Sequence, residues 1–345
     1  MVRLAINGYG RIGRIAHRII LDRFKSDVSV VGINAGSSAD LKGWMYLLKY
    51  DTVYGPLTGH TLSVEPQTEN GMLGMLLIDD KKIPVYSQKD PSLLPWMQLG
   101  IDVVIESTGH FLTTDKAKAH LQAGAKAVIL SAPAKDDTSV YVLSINQKDY
   151  KGEPIVSNAS CTTNCIAPVA KIMHERFGIE KAMMTTIHGY TSDQRLQDGG
   201  HKDYRRARAA SENIIPTSTG ATRAAARAFP ALTDRFSGLA IRVPVPVGSL
   251  SDFTFLLKKD TTKEEINAAM KEEAEKPNFS GILAVTDDPI VSSDIIGNAH
   301  SAIVDLSLTD VVLGNMAKVI AWYDNEFGYA HRLVEQALLL GRSKK

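Results

Sequence analysis

The sequence predicts an α/β chain: a doubly wound parallel sheet in the N-terminal half, then an α+β domain with a mixed or antiparallel sheet. Three observations carry this. Short apolar runs alternate with amphipathic stretches through the first half. A glycine-rich turn joins the first run to the first stretch. The pattern then changes near Lys151-Gly152, beyond which β-rich runs are long and widely spaced.

In chain order, Val2–Ile6 reads as a buried strand, followed by the turn Gly8–Gly13. Arg14–Phe24 has Ile15, Ile19, Ile20 and Phe24 at helical spacing. Val28–Ile33 is the next strand. Asp102–Glu106 and Ala127–Leu130 are later strands, with a helical pattern over Asp115–Ala123 between them. Strand–helix–strand order implies parallel strands covered on both faces. Pro154–Ser157 is a strand leading into a helix from Cys161 to Phe177. Leu239–Pro246, Leu250–Leu257 and Ser301–Ser307 are β-rich, Thr262–Lys276 is a charged surface helix, and Asn325–Leu340 is helical. The division this suggests is a dinucleotide-binding domain over 1–160 completed by a C-terminal helix over 325–345, and a catalytic domain over 161–324. No repeat, low-complexity tract or flexible linker stands out.

Composition narrows the function. With 345 residues, 44% hydrophobic and 22% charged, the chain has room for two cores. Lys plus Arg number 39 against 38 Asp plus Glu. A balance that close argues against nucleic acid or a membrane surface as the main partner. No run approaches the ~18 apolar residues of a membrane span, and the first residues lack a signal-peptide core. The two cysteines, Cys161 and Cys165, make no disulfide framework, so a cytoplasmic location is expected.

Gly8-Tyr9-Gly10-Arg11-Ile12-Gly13 fits G-x-G-x-x-G between a predicted strand and a predicted helix. The first glycine permits a tight turn, the second lets backbone approach a pyrophosphate, and the third allows close helix–strand packing. This points to a Rossmann-type nucleotide domain, with a plain βα turn as the alternative. The fingerprint also expects an acidic residue at the end of the second strand. Here that strand ends Asn34-Ala35-Gly36-Ser37-Ser38, without a carboxylate.

Ser157–Cys165 lies where a strand ends and a helix begins. A cysteine at a helix N-terminus meets orphan amides and the positive end of the dipole, which lower its pKa and suit a nucleophile. An inert thiol in a small polar cap is the alternative. Cys165, one turn on, reads as a buried small residue. His188, at the end of a β-like run, is the candidate base; alone it equally suits a structural histidine. Pro216–Gly220 offers hydroxyls and amides for an anion. Arg242, inside an apolar run, is an anion candidate or half of a structural ion pair. The basic run His201–Arg208 reads as a solvated loop or a subunit contact before a nucleic-acid patch.

Together, Ile6–Arg14, Ser157–Cys165, His188-Gly189-Tyr190-Thr191, Ile214–Gly220 and Trp322–Tyr329 resemble phosphorylating glyceraldehyde-3-phosphate dehydrogenase, in the family's order over nearly the whole chain. The resemblance implies that Cys161 forms a thiohemiacetal with the aldehyde. It makes His188 the general base that assists hydride transfer and leaves a thioester for inorganic phosphate to attack, giving 1,3-bisphosphoglycerate. It assigns Thr191 and Arg242 to the substrate's C3 phosphate. Ser160, Thr162, Thr219, Gly220 and Arg205 fall to the attacking phosphate. To the cofactor it assigns Gly8, Gly10, Arg11, Ile12 and Gly13, then Asn34, Ala35 and Lys89. Thr108, Gly109, Phe111 and Ser131 form walls of the cofactor cleft, and Asn325 with Tyr329 lies by the nicotinamide. A homotetramer is implied, with Gln194–Arg208 reaching a neighbouring subunit, and no metal.

Three positions depart from the family's pattern. Ala35 stands in place of Asp, Gly200 in place of Pro, and Gln88-Lys89-Asp90-Pro91 in place of Glu-Arg-Asp-Pro. All lie at the adenosine end. They predict use of NADP, alone or beside NAD. The alternatives in function are erythrose-4-phosphate dehydrogenase and a secondary, non-catalytic RNA-binding role.

Overall fold

The computed structural model describes residues 1–69 and 71–344. The chain divides into two compact units: Met1–Tyr141 with Tyr150–Ala159 and Ala330–Lys345, and Val142–Asp149 with Ser160–Tyr329.

The first unit contains β1 (Val2–Asn7), α1 (Arg11–Arg23), β2 (Val28–Asn34), α2 (Leu41–Lys49), β3 (Leu62–Glu69), β4 (Met72–Ile78), β5 (Lys81–Tyr86), β6 (Val103–Glu106), α3 (Thr114–Gln122), β7 (Ala127–Leu130) and β8 (Ile155–Ser157). They form one eight-stranded sheet in the order β3-β4-β5-β2-β1-β6-β7-β8. From β5 to β8 every pair is parallel. All four residues of β6 and all four of β7 are buried, as their unbroken apolar runs require of a doubly covered sheet. The neighbours of β1 are β2 on one side and β6 on the other. The winding therefore reverses at β1, and Asn7, Asn34 and Glu106 end three adjacent strands at one level. Ligands of open parallel sheets bind at such a reversal.

Two features were not anticipated. Helix α2 follows β2, and β3–β4–β5 extend the sheet by an antiparallel meander. The predicted helix after the glycine turn begins earlier than its periodicity indicates. It starts at Arg11, and Phe24 is its C-cap. The apolar stripe begins only at Ile15, because the first turn is occupied by residues whose amides matter more than their side chains.

The second unit contains α4 (Cys161–Phe177), β9 (Ile179–Gly189), β10 (Ile215–Ser218), α5 (Ala221–Ala228), β11 (Phe236–Val243), β12 (Ser249–Leu257), α6 (Lys263–Ala274), β13 (Leu283–Thr286), β14 (Ala302–Val312) and β15 (Met316–Tyr323). Its seven-stranded sheet runs β10-β11-β9-β12-β15-β14-β13. It is mixed: β11 and β9 are parallel, as are β13 and β14, while the other pairs are antiparallel. Alternation in β9 buries Ala182, Met184, Thr186 and His188 on one face. α7 (Phe327–Ser343) follows, and from Ala330 it belongs to the first unit. Among the described residues no helix is long and apolar enough to cross a membrane.

The glycines of the β1–α1 turn have different jobs. Gly8 has φ +96°, and a Cβ there would sit 2.6 Å from the Ser107 and Thr108 backbone. A Cβ on Gly13 would lie 2.3 Å from the Gly8 carbonyl oxygen, whereas one on Gly10 meets nothing within 4 Å. Gly13→Ala must push backbone aside, so it should cost about 2 kcal/mol or more and lower Tm by roughly 5 °C or more. Gly10→Ala should cost about 1 kcal/mol or less, the difference between Gly and Ala at an N-cap. Thermal melts of the two variants check this; equal Tm values would remove the packing role from Gly13.

Candidate active site

Cys161 is the first residue of α4, behind Ser160 as N-cap. The Ser160 Oγ accepts from the Thr163 amide at 3.0 Å, which fixes the start of the helix. Cys161 Sγ lies 3.4 Å from His188 Nε2. His188 reaches it because it falls on the buried, even-numbered face of β9. In the parallel register of β11 and β9 the residue beside His188 is Arg242. Arg242 Nη1 stands 3.0 Å from His188 Nδ1, 3.1 Å from the Gly189 carbonyl oxygen and 3.4 Å from Thr191 Oγ1. His188 Nδ1 is 2.6 Å from that same carbonyl. Assigned from this network, the ring proton sits on Nδ1 and is donated to Gly189, which leaves the Nε2 lone pair facing sulfur. The sequence had nominated Thr191 and Arg242 as anion ligands, and the fold gathers both beside the cysteine–histidine pair.

Burial, aided by the Arg242 guanidinium, pushes His188 down to about 3, so its imidazole is neutral. Burial also pushes the Cys161 thiol up; Arg242, the Thr162 hydroxyl and the first amides of α4 pull it back. The lowering expected of a helix terminus is thus present but outweighed by desolvation. Desolvation thus disfavours charge on both partners. Cys165 is fully buried, with its Sγ 3.9 Å from Ser251 Oγ, and burial raises its thiol pKa further still.

The expected anion ligands divide. The N-terminus of α5 adjoins that of α4, since Thr163 Oγ1 donates to the Ala221 carbonyl at 3.3 Å. Thr219 and Gly220 precede α5, and Thr219 Oγ1 accepts from the Ala221 amide at 3.2 Å. Two helix N-termini therefore adjoin, with Ser160 preceding one and Thr219 and Gly220 the other. Thr162 differs. Its hydroxyl faces Tyr323 Oη at 3.0 Å, which in turn lies 2.7 Å from Thr186 Oγ1, so it turns into the core. Arg205 also differs. It is exposed, and its neighbour Arg206 points to the hydroxyl-rich strand: Nε donates to Thr217 Oγ1 at 2.9 Å and Nη2 to the Ser218 carbonyl at 3.2 Å. Asp203 caps the turn by accepting both the Arg205 and Arg206 amides, so the two side chains leave in different directions. From a run of arginines the sequence could not tell which one faces inward. It also gave no role to Tyr323, although that residue stands in one of the quoted motifs.

Asn325 is buried. Its Oδ1 accepts from the Gly248 amide at 3.1 Å and the Ser249 hydroxyl at 2.9 Å, leaving the amide nitrogen as its unused donor. Tyr329 lies in the first turn of α7 and is buried. A larger open groove of about 720 Å³ lies by Lys181 and Ser237 at the starts of β9 and β11. It is roughly 20 Å of strand away from His188, and neither cysteine nor histidine lines it.

In the first unit a cleft of about 510 Å³ opens over the carboxyl ends of β1, β2 and β6. Gly8, Gly10, Asn34, Ala35, Lys89, Thr108 and Phe111 line it, so the fold assembles half of the sequence-nominated cofactor residues at one place. Gly109 (φ +74°) follows Thr108, and the Ser131 amide bonds the Glu106 carbonyl at 2.9 Å. Gly10 caps α1 without a side-chain bond, which leaves the Arg11 and Ile12 amides at an uncapped helix start. The Arg11 side chain pairs with Asp51 at 3.0 Å. Backbone amides, open space over Gly10 and a long cleft at the winding reversal suit a dinucleotide pyrophosphate. No Asp or Glu lines the cleft among the described residues, while Lys89 does, brought from the end of β5. No group of three or more metal-ligating side chains occurs among the described residues.

A family model for the glyceraldehyde 3-phosphate dehydrogenase NAD-binding domain matches residues 2–114, and one for the C-terminal domain of that enzyme matches 160–325. Curated relatives named glyceraldehyde-3-phosphate dehydrogenase align along the full length. The one from Thermotoga maritima is 51% identical, over 99% of this chain and 99% of its own. That from Borreliella burgdorferi is 49% identical, over 97% and 98%. That from Streptomyces coelicolor is 46% identical, over 99% and 98%. With both domain models matched and nearly half of all positions shared end to end, the chain belongs to the glyceraldehyde-3-phosphate dehydrogenase family.

Proposed function

We propose that the chain oxidises glyceraldehyde 3-phosphate in the presence of inorganic phosphate to 1,3-bisphosphoglycerate, with Cys161 as nucleophile and His188 as base. The observation that carries this is the 3.4 Å approach of Cys161 Sγ to an unprotonated His188 Nε2, beside the half-buried Arg242. His188 takes the thiol proton as sulfur bonds to the aldehyde carbon and passes it to the former carbonyl oxygen, giving a thiohemiacetal and a neutral imidazole. It then takes the hydroxyl proton as hydride leaves that carbon and a thioester forms. The nicotinamide of a bound NAD(P) supplies the hydride acceptor. Phosphate oxygen attacks the thioester carbonyl, the C–S bond breaks, and the thiolate regains its proton. Arg242 and Thr191 hold the substrate's own phosphate. Ser160, Thr219 and Gly220, at two helix starts, hold the attacking one, with Arg206 in the role the resemblance gave to Arg205. The Asn325 amide donor suits the carboxamide of the cofactor. The relatives' names favour the triose phosphate over erythrose 4-phosphate and over RNA binding. Exposed Leu196 and Tyr204, within the segment that the resemblance assigns to a neighbouring subunit, support a homotetramer.

Cys161→Ser should abolish measurable oxidation, because a hydroxyl gives almost no anion at neutral pH. His188→Asn should lower kcat by about 10²–10⁴-fold. Stoichiometric alkylation followed by peptide mapping should find Cys161 modified and Cys165 intact. Loss of activity on modification of Cys165 first would sink the assignment.

Cofactor choice follows from the same cleft. A carboxylate at the end of β2 would accept bonds from the ribose hydroxyls and repel a 2′-phosphate. At ~5 Å and an effective dielectric near 20 that repulsion is roughly 3 kcal/mol per unit charge. Ala35 lacks it, and Lys89 supplies a positive charge that the sequence around β2 does not. NADP is therefore used, alone or beside NAD. Ala35→Asp should lower kcat/KM for NADP by about tenfold or more, while that for NAD holds or rises. Steady-state kinetics with both dinucleotides is the check, and a wild type that ignores NADP overturns this reading.

A further inference from the structure

Beneath the cleft of the first unit lies a carboxylate that the reaction does not use. Glu106 ends β6 and is fully buried, level with Asn7 and Asn34 at the ends of β1 and β2. Its Oε2 accepts from Asn7 Nδ2 at 2.5 Å and faces His120 Nε2 at 3.1 Å. Its Oε1 accepts from the Thr108 amide at 2.8 Å and the Thr108 hydroxyl at 2.5 Å. The protonation pattern follows from the donors. Trp96 Nε1–H can only donate, and it reaches His120 Nδ1 at 3.1 Å. His120 Nδ1 is therefore bare and the ring proton is on Nε2, directed at Glu106. Asn7 Oδ1 accepts from Asn34 Nδ2 at 2.6 Å, so the amide nitrogen of Asn7 is the atom turned to Glu106. Four donors converge on one carboxylate. Among the described residues its only ion-pair partner is His120, which these bonds hold neutral.

The two ends of this network reach opposite walls of the cleft. On one side the Thr108 hydroxyl donates to Glu106, so Thr108 Oγ1 is left as an acceptor, which the His110 amide meets at 3.1 Å. On the other side, Asn34 Nδ2 donates to the Gln88 carbonyl at 2.8 Å and Asn34 Oδ1 accepts from the Gln88 amide at 2.9 Å. That pair of bonds fixes the turn carrying Lys89. Asn7, Asn34, Gln88 and Thr108 all line the cleft; Glu106 and His120 do not.

We propose that Glu106 is a positioning residue for the dinucleotide: its carboxylate, through Thr108 and through Asn7–Asn34–Gln88, sets both walls of the cofactor cleft. This rests on the reading of that cleft as the NAD(P) site. A buried anion with no cation beside it is costly to keep. Four donors offset that cost only in one arrangement, so the carboxylate imposes the orientation of each of them.

The test is equilibrium binding to the full-length chain stripped of dinucleotide, read by fluorescence titration with NADH and NADPH. Glu106→Gln puts a donor where an acceptor is needed, and Kd for both should rise about tenfold or more, the factor of one lost charge-assisted hydrogen bond. Iodoacetamide alkylation of Cys161 in the second unit should keep its wild-type rate within about twofold. Thr108→Val should raise Kd by about three- to tenfold, and Thr108→Ser should restore it. This pair decides the matter if E106Q yields no folded chain. Wild-type Kd in both E106Q and T108V overturns the proposal. So does a loss of Cys161 reactivity in step with binding, which would make Glu106 a stability residue alone. If the wild-type chain binds neither dinucleotide, it is the reading of the cleft that fails.

Discussion

The parallel register of β9 and β11 sets Arg242 beside His188, and the reactive end of the second unit depends on it. A guanidinium in that position is largely buried, and among the described residues it has no carboxylate at ion-pair distance; its Nε has no partner. Such a group is a poor stabiliser of a fold. It does two other things. It adds to the burial that holds the imidazole unprotonated, with the Nε2 lone pair facing sulfur. It also leaves one net positive charge among a neutral thiol, a neutral ring and a threonine hydroxyl. A phosphate ester is the complement of that arrangement in both charge and donor geometry. A bound phosphate would offset the desolvation of that cation.

The first unit solves an anion-binding problem with opposite means. The first turn of α1 offers amides and no side-chain cap, and no acidic side chain lines the cleft among the described residues. The negative charge in the neighbourhood is placed below the floor, at Glu106, where four donors absorb it. Burying the carboxylate under amides and hydroxyls, with no arginine beside it, gives a floor whose polarity is set by geometry and not by mobile charge.

The legible parts of the fold were those in which local pattern and tertiary role coincide. The unbroken apolar runs of β6 and β7 could only be doubly covered strands. The stretch from Cys161 to Phe177 carried both an N-cap serine and a C-cap glycine, and the helix keeps those bounds. The meander β3–β5 was invisible because only two residue pairs join β5 to β2, and Gly74 with φ +140° interrupts the alternation of β4. At the site, the cysteine, histidine and Arg242 were readable from residue type and position. Two others were not, because each is decided by a contact that the local pattern does not show. Arg206 and not Arg205 faces Thr217 because Asp203 fixes the turn. Glu106 looks like an ordinary strand end until His120 and Asn7, 14 and 99 residues away, close over it.

Burial that disfavours the thiolate of Cys161 suits the second half of the chemistry. A thioester stores the energy of oxidation only while water is kept from it, so the sulfur must be desolvated and phosphate must have an advantage that water lacks. The protein's advantage is charge. The starts of α4 and α5 adjoin, with the hydroxyls of Ser160 and Thr219 beside them, and Arg206, held by Asp193, bonds the Thr217 hydroxyl nearby. A dianion gains from every one of these, whereas neutral water gains little. On the proposed reading, the desolvation that raises the thiol pKa and the donors at the two helix starts would serve one end: a more exposed Cys161 would ionise more easily but leave its thioester open to water.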